Sequence, residues 1–291
     1  MCRVFGFRSA TESSVHHSLV RARNALTVQS KQHPDGWGIA CYVGDRPELT
    51  RGTGAAFVEG SFGRTARMVS SHTVVAHVRK ASCGAVRRAN SHPFVRGRWV
   101  FAHNGDVARW EAVRGAVEAE IDPALLGTLE GETDSERCFL LFLTLLKGRG
   151  VDLEGADLPF DIVASALTDT VARLRALADP GAPKPSVLTF VVSNGPVLAA
   201  IHSGNTLWYS THKVRCRERD RCPLLDAVCE RPARAGEPVR HLLVASEPLS
   251  TENVWYAVPD GAVVGVDGAM RLCTLGARRA AEPAPVEGLG I

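Results

Sequence analysis

Hydrophobic and polar positions change period several times along the chain, and each change marks an element. Arg3-Val4-Phe5-Gly6-Phe7 is a short β-type run. Between Glu12 and Ser30, Val15, Leu19, Ala22 and Leu26 recur at helical spacing with Ser13 or Ser14 placed to cap them, which predicts a helix. The turn-rich stretch His33-Pro34-Asp35-Gly36-Trp37-Gly38 leads into a strand over 39–43. Two apolar, β-branched runs, Thr73 to Val78 and Arg98 to Ala102, read as strands buried on both faces or nearly so, and a polar cluster follows each.

Thr133-Asp134-Ser135-Glu136 precedes a dense apolar run over 137–146, a buried helix with a Thr or Asp cap. A second helix is predicted over 159–178. After a Pro/Gly break, strands over 186–193 and 196–202 form a hairpin around Asn194-Gly195. Strands near 206–210, 241–246, 262–266 and 270–274 complete the series. The Ala/Pro/Glu/Gly-rich residues 277–291 are expected to be a poorly ordered tail behind a single domain over 2–276. Periodicity alone therefore specifies an α+β chain with mixed sheets.

Composition narrows the function classes. With 291 residues and 45% hydrophobic content the chain can bury a substantial core. A net charge of +3 from 34 basic and 31 acidic residues creates no field suited to nucleic acid or an anionic membrane. No apolar leader and no 18-residue apolar window are visible, so a cytoplasmic location is expected. Eight cysteines are scattered without the dense pairing of a secreted scaffold and should be mostly reduced. Cys216, Cys222 and Cys229 lie in an Arg-rich stretch without C-x2-C spacing, which suits a charged loop better than a zinc site. No metal and no cofactor are expected.

Cys2 carries the strongest chemical signal. If Met1 is removed, a thiol and a free α-amine lie on one residue, and an amine of pKa ~8 can act as base for a thiol of pKa ~8.5. The plainer alternative is a small core residue beside a start codon.

Five motifs bear on that choice: Met1-Cys2-Arg3, His33-Pro-Asp-Gly-Trp-Gly38, Ala76-His-Val-Arg-Lys-Ala-Ser82, Phe101-Ala-His-Asn-Gly-Asp106 and Thr133-Asp-Ser-Glu136. In this order and spacing the chain resembles the class II glutamine amidotransferases, N-terminal-nucleophile hydrolases with a processed cysteine. The likeness covers roughly residues 2–145 by specific motif and the remainder more loosely, through Asn194-Gly195 and Ala245-Ser-Glu-Pro-Leu249. It implies a four-layer α/β/β/α sandwich with two antiparallel sheets between helix layers.

The resemblance also implies roles. Cys2 is the nucleophile, and the Asn104 side chain with the Gly105 N–H forms an oxyanion hole; read alone, Asn104-Gly105 would be a type I′ turn. Arg79 holds the α-carboxylate of a glutamyl substrate, where the alternative is a surface ion pair, and Ser82 adds a hydrogen bond. Asp134 complements the α-ammonium, caps its helix, or does both. Trp37 and Gly38 line the site, Asp35 fixes their loop, and Ser246-Glu247-Pro248 is a strand end that closes the site. His77, His92 and His103 are not assigned as bases, because the α-amine suffices.

With 291 residues leaving no room for a synthase domain, the chain resembles the stand-alone subgroup of the family, which includes enzymes acting on γ-glutamyl compounds in ergothioneine biosynthesis and glutathione degradation. The expected activity is accordingly γ-glutamyl amide hydrolysis on a small molecule, with no nucleic-acid or membrane partner. Two alternatives stand beside it: an ammonia-supplying subunit that works only when docked on a synthetase, and a non-catalytic γ-glutamyl sensor.

Overall fold

The computed structural model describes residues 2–216, 219, 220, 222 and 225–276; the expected tail lies outside the described residues. In chain order, β1 (Arg3–Ser14), a π-helical turn at His17–Arg21 and α1 (Leu26–Gln29) precede β2 (Trp37–Val43), β3 (Arg46–Gly52), α2 (Gly60–Met68) and β4 (Ser70–Val78). Then come β5 (Phe94–Arg96), β6 (Trp99–Asp106), α3 (Trp110–Glu118), α4 (Pro123–Leu126), α5 (Asp134–Gly148) and α6 (Phe160–Ala178). The chain continues through β7 (Val187–Ser193), β8 (Leu198–Ile201), β9 (Trp208–Ser210), β10 (His241–Ala245), β11 (Tyr256–Ala257), β12 (Val263–Val266) and β13 (Leu272–Leu275).

These strands form two antiparallel sheets, ordered β11-β9-β10-β1-β4-β2-β3 and β13-β12-β8-β7-β6-β5. Period-2 alternation decides which core each side chain enters. Val4, Ala40, Val75, Ala102 and Val191 meet between the sheets. Phe5 and Phe7 point the other way, joining Leu26, Trp37 and Phe62 under α1 and α2. Phe101 and Phe190 face α5 and α6, where Phe139 stacks on Phe101 at 5.2 Å. Helix, sheet, sheet and helix thus form four layers, and each fully buried Phe or Leu contributes about 1.5–3 kcal/mol.

Two sequence expectations are corrected. The helix predicted from Glu12 to Ser30 is absent: β1 runs to Ser14, pairing Ser13 with Ser71 and Ser14 with Ser70, and only short helical turns follow. Val15, Leu19, Ala22 and Leu26 all enter one core, so their spacing marked a buried face without a continuous helix beneath it. The run ending at Ala102 also continues as strand, pairing Asn104 with Thr189 and Gly105 with Leu188, which rules out a turn there.

Candidate active site

The register Arg3↔Val78 sets Cys2 against the residues leaving β4. Cys2 Sγ accepts from the Lys80 N–H at 3.4 Å and faces the Lys80 carbonyl at 3.5 Å. Only 7% of Cys2 is exposed. Burial pushes its thiol pKa up, opposed by the Lys80 backbone and the Arg79 charge.

The loop before β2 clamps that same segment. The Asp35 N–H donates to the Arg79 carbonyl at 3.0 Å, the Arg79 N–H to Gly36 at 2.8 Å, and the Ala81 N–H to Asp35 Oδ2 at 2.9 Å. Gly38 is required by close approach, since a Cβ there would lie 2.2 Å from the His92 carbonyl oxygen. The buried Arg79 guanidinium donates to the carbonyls of Cys83 (2.7 Å), Ala85 (3.2 Å) and Gly84 (3.3 Å). Cys2, Asp35 and Asp134 are within electrostatic reach of it.

Asn104 enters from the other sheet with its amide orientation fixed. Asn205 Nδ2 donates to both the Asn104 backbone oxygen and Oδ1, each at 3.1 Å, which turns Nδ2 of Asn104 toward Ser246 Oγ at 3.1 Å. Ser246 Oγ also accepts the Val4 N–H at 3.0 Å, tying the Asn104 amide to the strand that begins beside Cys2. Gly105 packs so closely that a Cβ would meet the Val187 oxygen at 1.8 Å.

Asp134 opens α5 and is buried. Thr133 is the cap, its Oγ1 accepting from Glu136 N at 3.3 Å, so Asp134 serves elsewhere. Its Oδ2 accepts the Val107 N–H at 2.9 Å and its Oδ1 the Ser135 N–H at 2.7 Å. Its charge reaches both Cys2 and Arg79.

Not every expected residue joins this group. Trp37, 1% exposed, lies on the face of β2 away from Cys2, stacked edge-on against Phe62 with its indole N–H on Glu59 Oε2 at 2.6 Å. Alternation sends it with Phe5 into the outer core, where it packs as a core residue. Trp37→Phe is expected to lower stability by about 2 kcal/mol in urea unfolding, the worth of a hydrogen bond to a charged acceptor, with turnover unchanged. Ser82 is exposed on the rim of a cavity of about 500 Å³ shared with Cys83, Arg109 and Trp110. Cys216, Cys222 and Cys229 line a different cavity of about 410 Å³, and no metal-ligating cluster occurs among the described residues.

Sequence reasoning missed Asn205 and Ser135 and had no contact for Ser246. A lone Asn carries no spacing signal, Ser135 was passed over inside the Thr133-Asp-Ser-Glu136 motif in favour of its neighbour Asp134, and Ser246 was marked by its Ser-Glu-Pro context. Glu247 receives Arg3, and Asn24 donates to it at 3.0 Å, so this strand end does close over the start of β1.

Burial holds His77 down to about 3, His33 to about 4 and His241 to about 3. Each is neutral when folded but protonates near pH 6.5 when unfolded. Their full stability contribution is therefore present above pH ~6.5 and is lost as pH falls toward those depressed values. Urea midpoints should drop steadily from pH 7 to about pH 4; a flat profile would contradict neutral burial.

Comparisons with known proteins bear on the chain as a whole. Residues 1–287 match the family described as "Glutamine amidotransferases class-II". The probable glutamine amidotransferase DUG3 of Saccharomyces cerevisiae is 27% identical over 91% of this chain and 82% of its own length. A γ-glutamyl-hercynylcysteine sulfoxide hydrolase of Mycobacterium tuberculosis is 27% identical over 91% of this chain and 93% of its own. A solved class-II glutamine aminotransferase domain protein from Silicibacter pomeroyi has the same fold, with a TM-score of 0.61 and 22% identity over 94% of this chain and 98% of that one. No helix among the described residues is long and apolar enough to cross a membrane. Motif order, sheet topology and sequence match agree: the chain belongs to the class-II glutamine amidotransferases.

Proposed function

We propose that the protein is a γ-glutamyl amide hydrolase working through a thioester on Cys2, which becomes the first residue on removal of Met1. The supporting observation is a buried thiol flanked by a buried guanidinium and a buried carboxylate. Arg79 is held by carbonyls, so its charge is open to an incoming carboxylate, and Asp134 offers the opposite charge to an ammonium. A glutamyl head group carries both charges at the α-carbon.

In this reading the Cys2 amine takes the thiol proton as Sγ attacks the amide carbon. The oxyanion meets the second hydrogen of Asn104 Nδ2, the first being on Ser246, and the Gly105 N–H. The amine then protonates the departing nitrogen, the C–N bond breaks, and a γ-glutamyl thioester remains. Water, deprotonated by the same amine, attacks the thioester; glutamate leaves and the thiol regains its proton. The relative from Mycobacterium tuberculosis, named for hydrolysis of a γ-glutamyl compound, favours a conjugate substrate, with glutamine as the simplest member of the class.

The test is glutamate release by the isolated chain from glutamine and from a γ-glutamyl dipeptide. Turnover without a partner is expected. Glutamate released only after a synthetase is added would point to a docked ammonia-supplying subunit, and none at all to a sensor.

A further inference from the structure

His103 takes no part in the chemistry above, yet it anchors a line of polar groups that ends at Asp134. Its Nε2 is 2.9 Å from the Val187 carbonyl oxygen, its Nδ1 is 2.9 Å from Ser135 Oγ, and that hydroxyl is 3.1 Å from Asp134 Oδ1. All of these side chains are buried. Both ends of the line, a carbonyl and a carboxylate, only accept hydrogens. Three contacts need three hydrogens, and a neutral imidazole with one hydroxyl brings two. The line is one hydrogen short until the ring gains a proton.

Several groups bear on that proton. Burial pulls His103 below the usual range, while Asp134, the Val187 carbonyl and Asp106 push it up. From β4, His77 Nε2 reaches the His103 carbonyl at 3.2 Å, and the His92 ring lies 6.5 Å away; burial keeps both neutral. On α5, burial keeps Cys138 a thiol, and Arg79 lies within electrostatic reach of Asp134.

We propose that His103 and Ser135 are positioning residues that leave Asp134 one hydrogen short when the ring is neutral, so that a proton on His103 competes with the substrate α-ammonium for one carboxylate. This rests on the γ-glutamyl reading of the site. With a neutral ring, Nε2–H donates to Val187 and the Ser135 hydroxyl donates to Nδ1. Asp134 then keeps its two backbone donors and receives no hydroxyl hydrogen, so its negative charge faces an ammonium undiminished. When the ring takes one proton from solvent, Nδ1–H donates to Ser135 and the hydroxyl hydrogen swings onto Asp134 Oδ1, so a new hydrogen bond and a nearby positive charge weaken the carboxylate's pull on an ammonium. Ammonium binding and ring protonation therefore oppose each other by linkage.

The experiment compares KM for glutamine with KM for glutaramate, which keeps the amide and carboxylate but lacks the α-amine, between about pH 5 and pH 8 in the full chain. For glutamine KM should rise at the acid end, approaching about tenfold per pH unit for one competing proton. For glutaramate it should not. Ser135→Ala and His103→Gln should flatten the glutamine profile, and Ser135→Thr, which keeps the hydroxyl, should restore it. Parallel profiles for the two substrates in the unmodified chain, or an undiminished acid rise in Ser135→Ala, would overturn the positioning role. Failure of the unmodified chain to release glutamate from either glutamine or a γ-glutamyl dipeptide at any pH would overturn the γ-glutamyl hydrolase reading, and this inference with it.

Discussion

Cys2→Ala is expected to cut glutamate release from γ-glutamyl amides by at least about ten-thousandfold, the scale on which removing a covalent nucleophile acts. The fold should survive the change. Cys2 contributes a small side chain ahead of β1, and its two contacts with Lys80 are weak sulfur hydrogen bonds. The Arg79 and Asp134 environments do not depend on the sulfur, so a glutamyl ligand should still bind. Activity falling with binding retained assigns Cys2 to bond making; equal loss of both would make it a packing residue. Calorimetric titration with glutamate separates the two outcomes.

Asn104→Ala carries the second largest effect. In the proposed mechanism the side chain supplies one of two donors to the developing oxyanion, and loss of such a donor costs about 3–4 kcal/mol of transition-state stabilisation, a fall of roughly 10²–10³ in kcat. KM should change little, because the donor matters most when the oxygen is charged. A stability cost accompanies it, since Asn205 and Ser246 each lose one hydrogen bond while keeping another, about 1 kcal/mol apiece. Unfolding curves measured beside the kinetics separate these effects. A loss confined to stability would remove Asn104 from the oxyanion hole.

Much of the fold was legible because alternation and apolar density report burial directly. The runs at 73–78 and 186–193 became β4 and β7 nearly intact, and the Thr-Asp-Ser-Glu cap signal located α5 within one turn. Where burial and secondary structure part company, legibility failed. Residues 15–26 have helical spacing but pack as turns, because β4 captures the backbone through Ser14. At the site, Arg79 stood out because it directly follows a buried strand, and Asn104 because glycine follows it within a polar cluster. That Trp37 packs in the outer core was not legible, because a one-residue step along β2 reverses the face and motif position does not reveal which face a side chain takes. Residues acting through others become visible only in three dimensions: Ser135 once α5 packs beside β6, and Asn205 once its loop meets Asn104, 101 positions earlier.

The central claim is that Cys2, freed of Met1, attacks the glutamyl carbonyl. Intact-mass and peptide mass spectrometry after incubation with an electrophilic glutamine analogue tests it most directly. The expected result is one adduct per chain, on Cys2, in protein that has lost Met1, with labelling blocked by excess glutamate. An unlabelled chain, an adduct on Cys83 or Cys216 instead, or full turnover by protein retaining Met1 would contradict it.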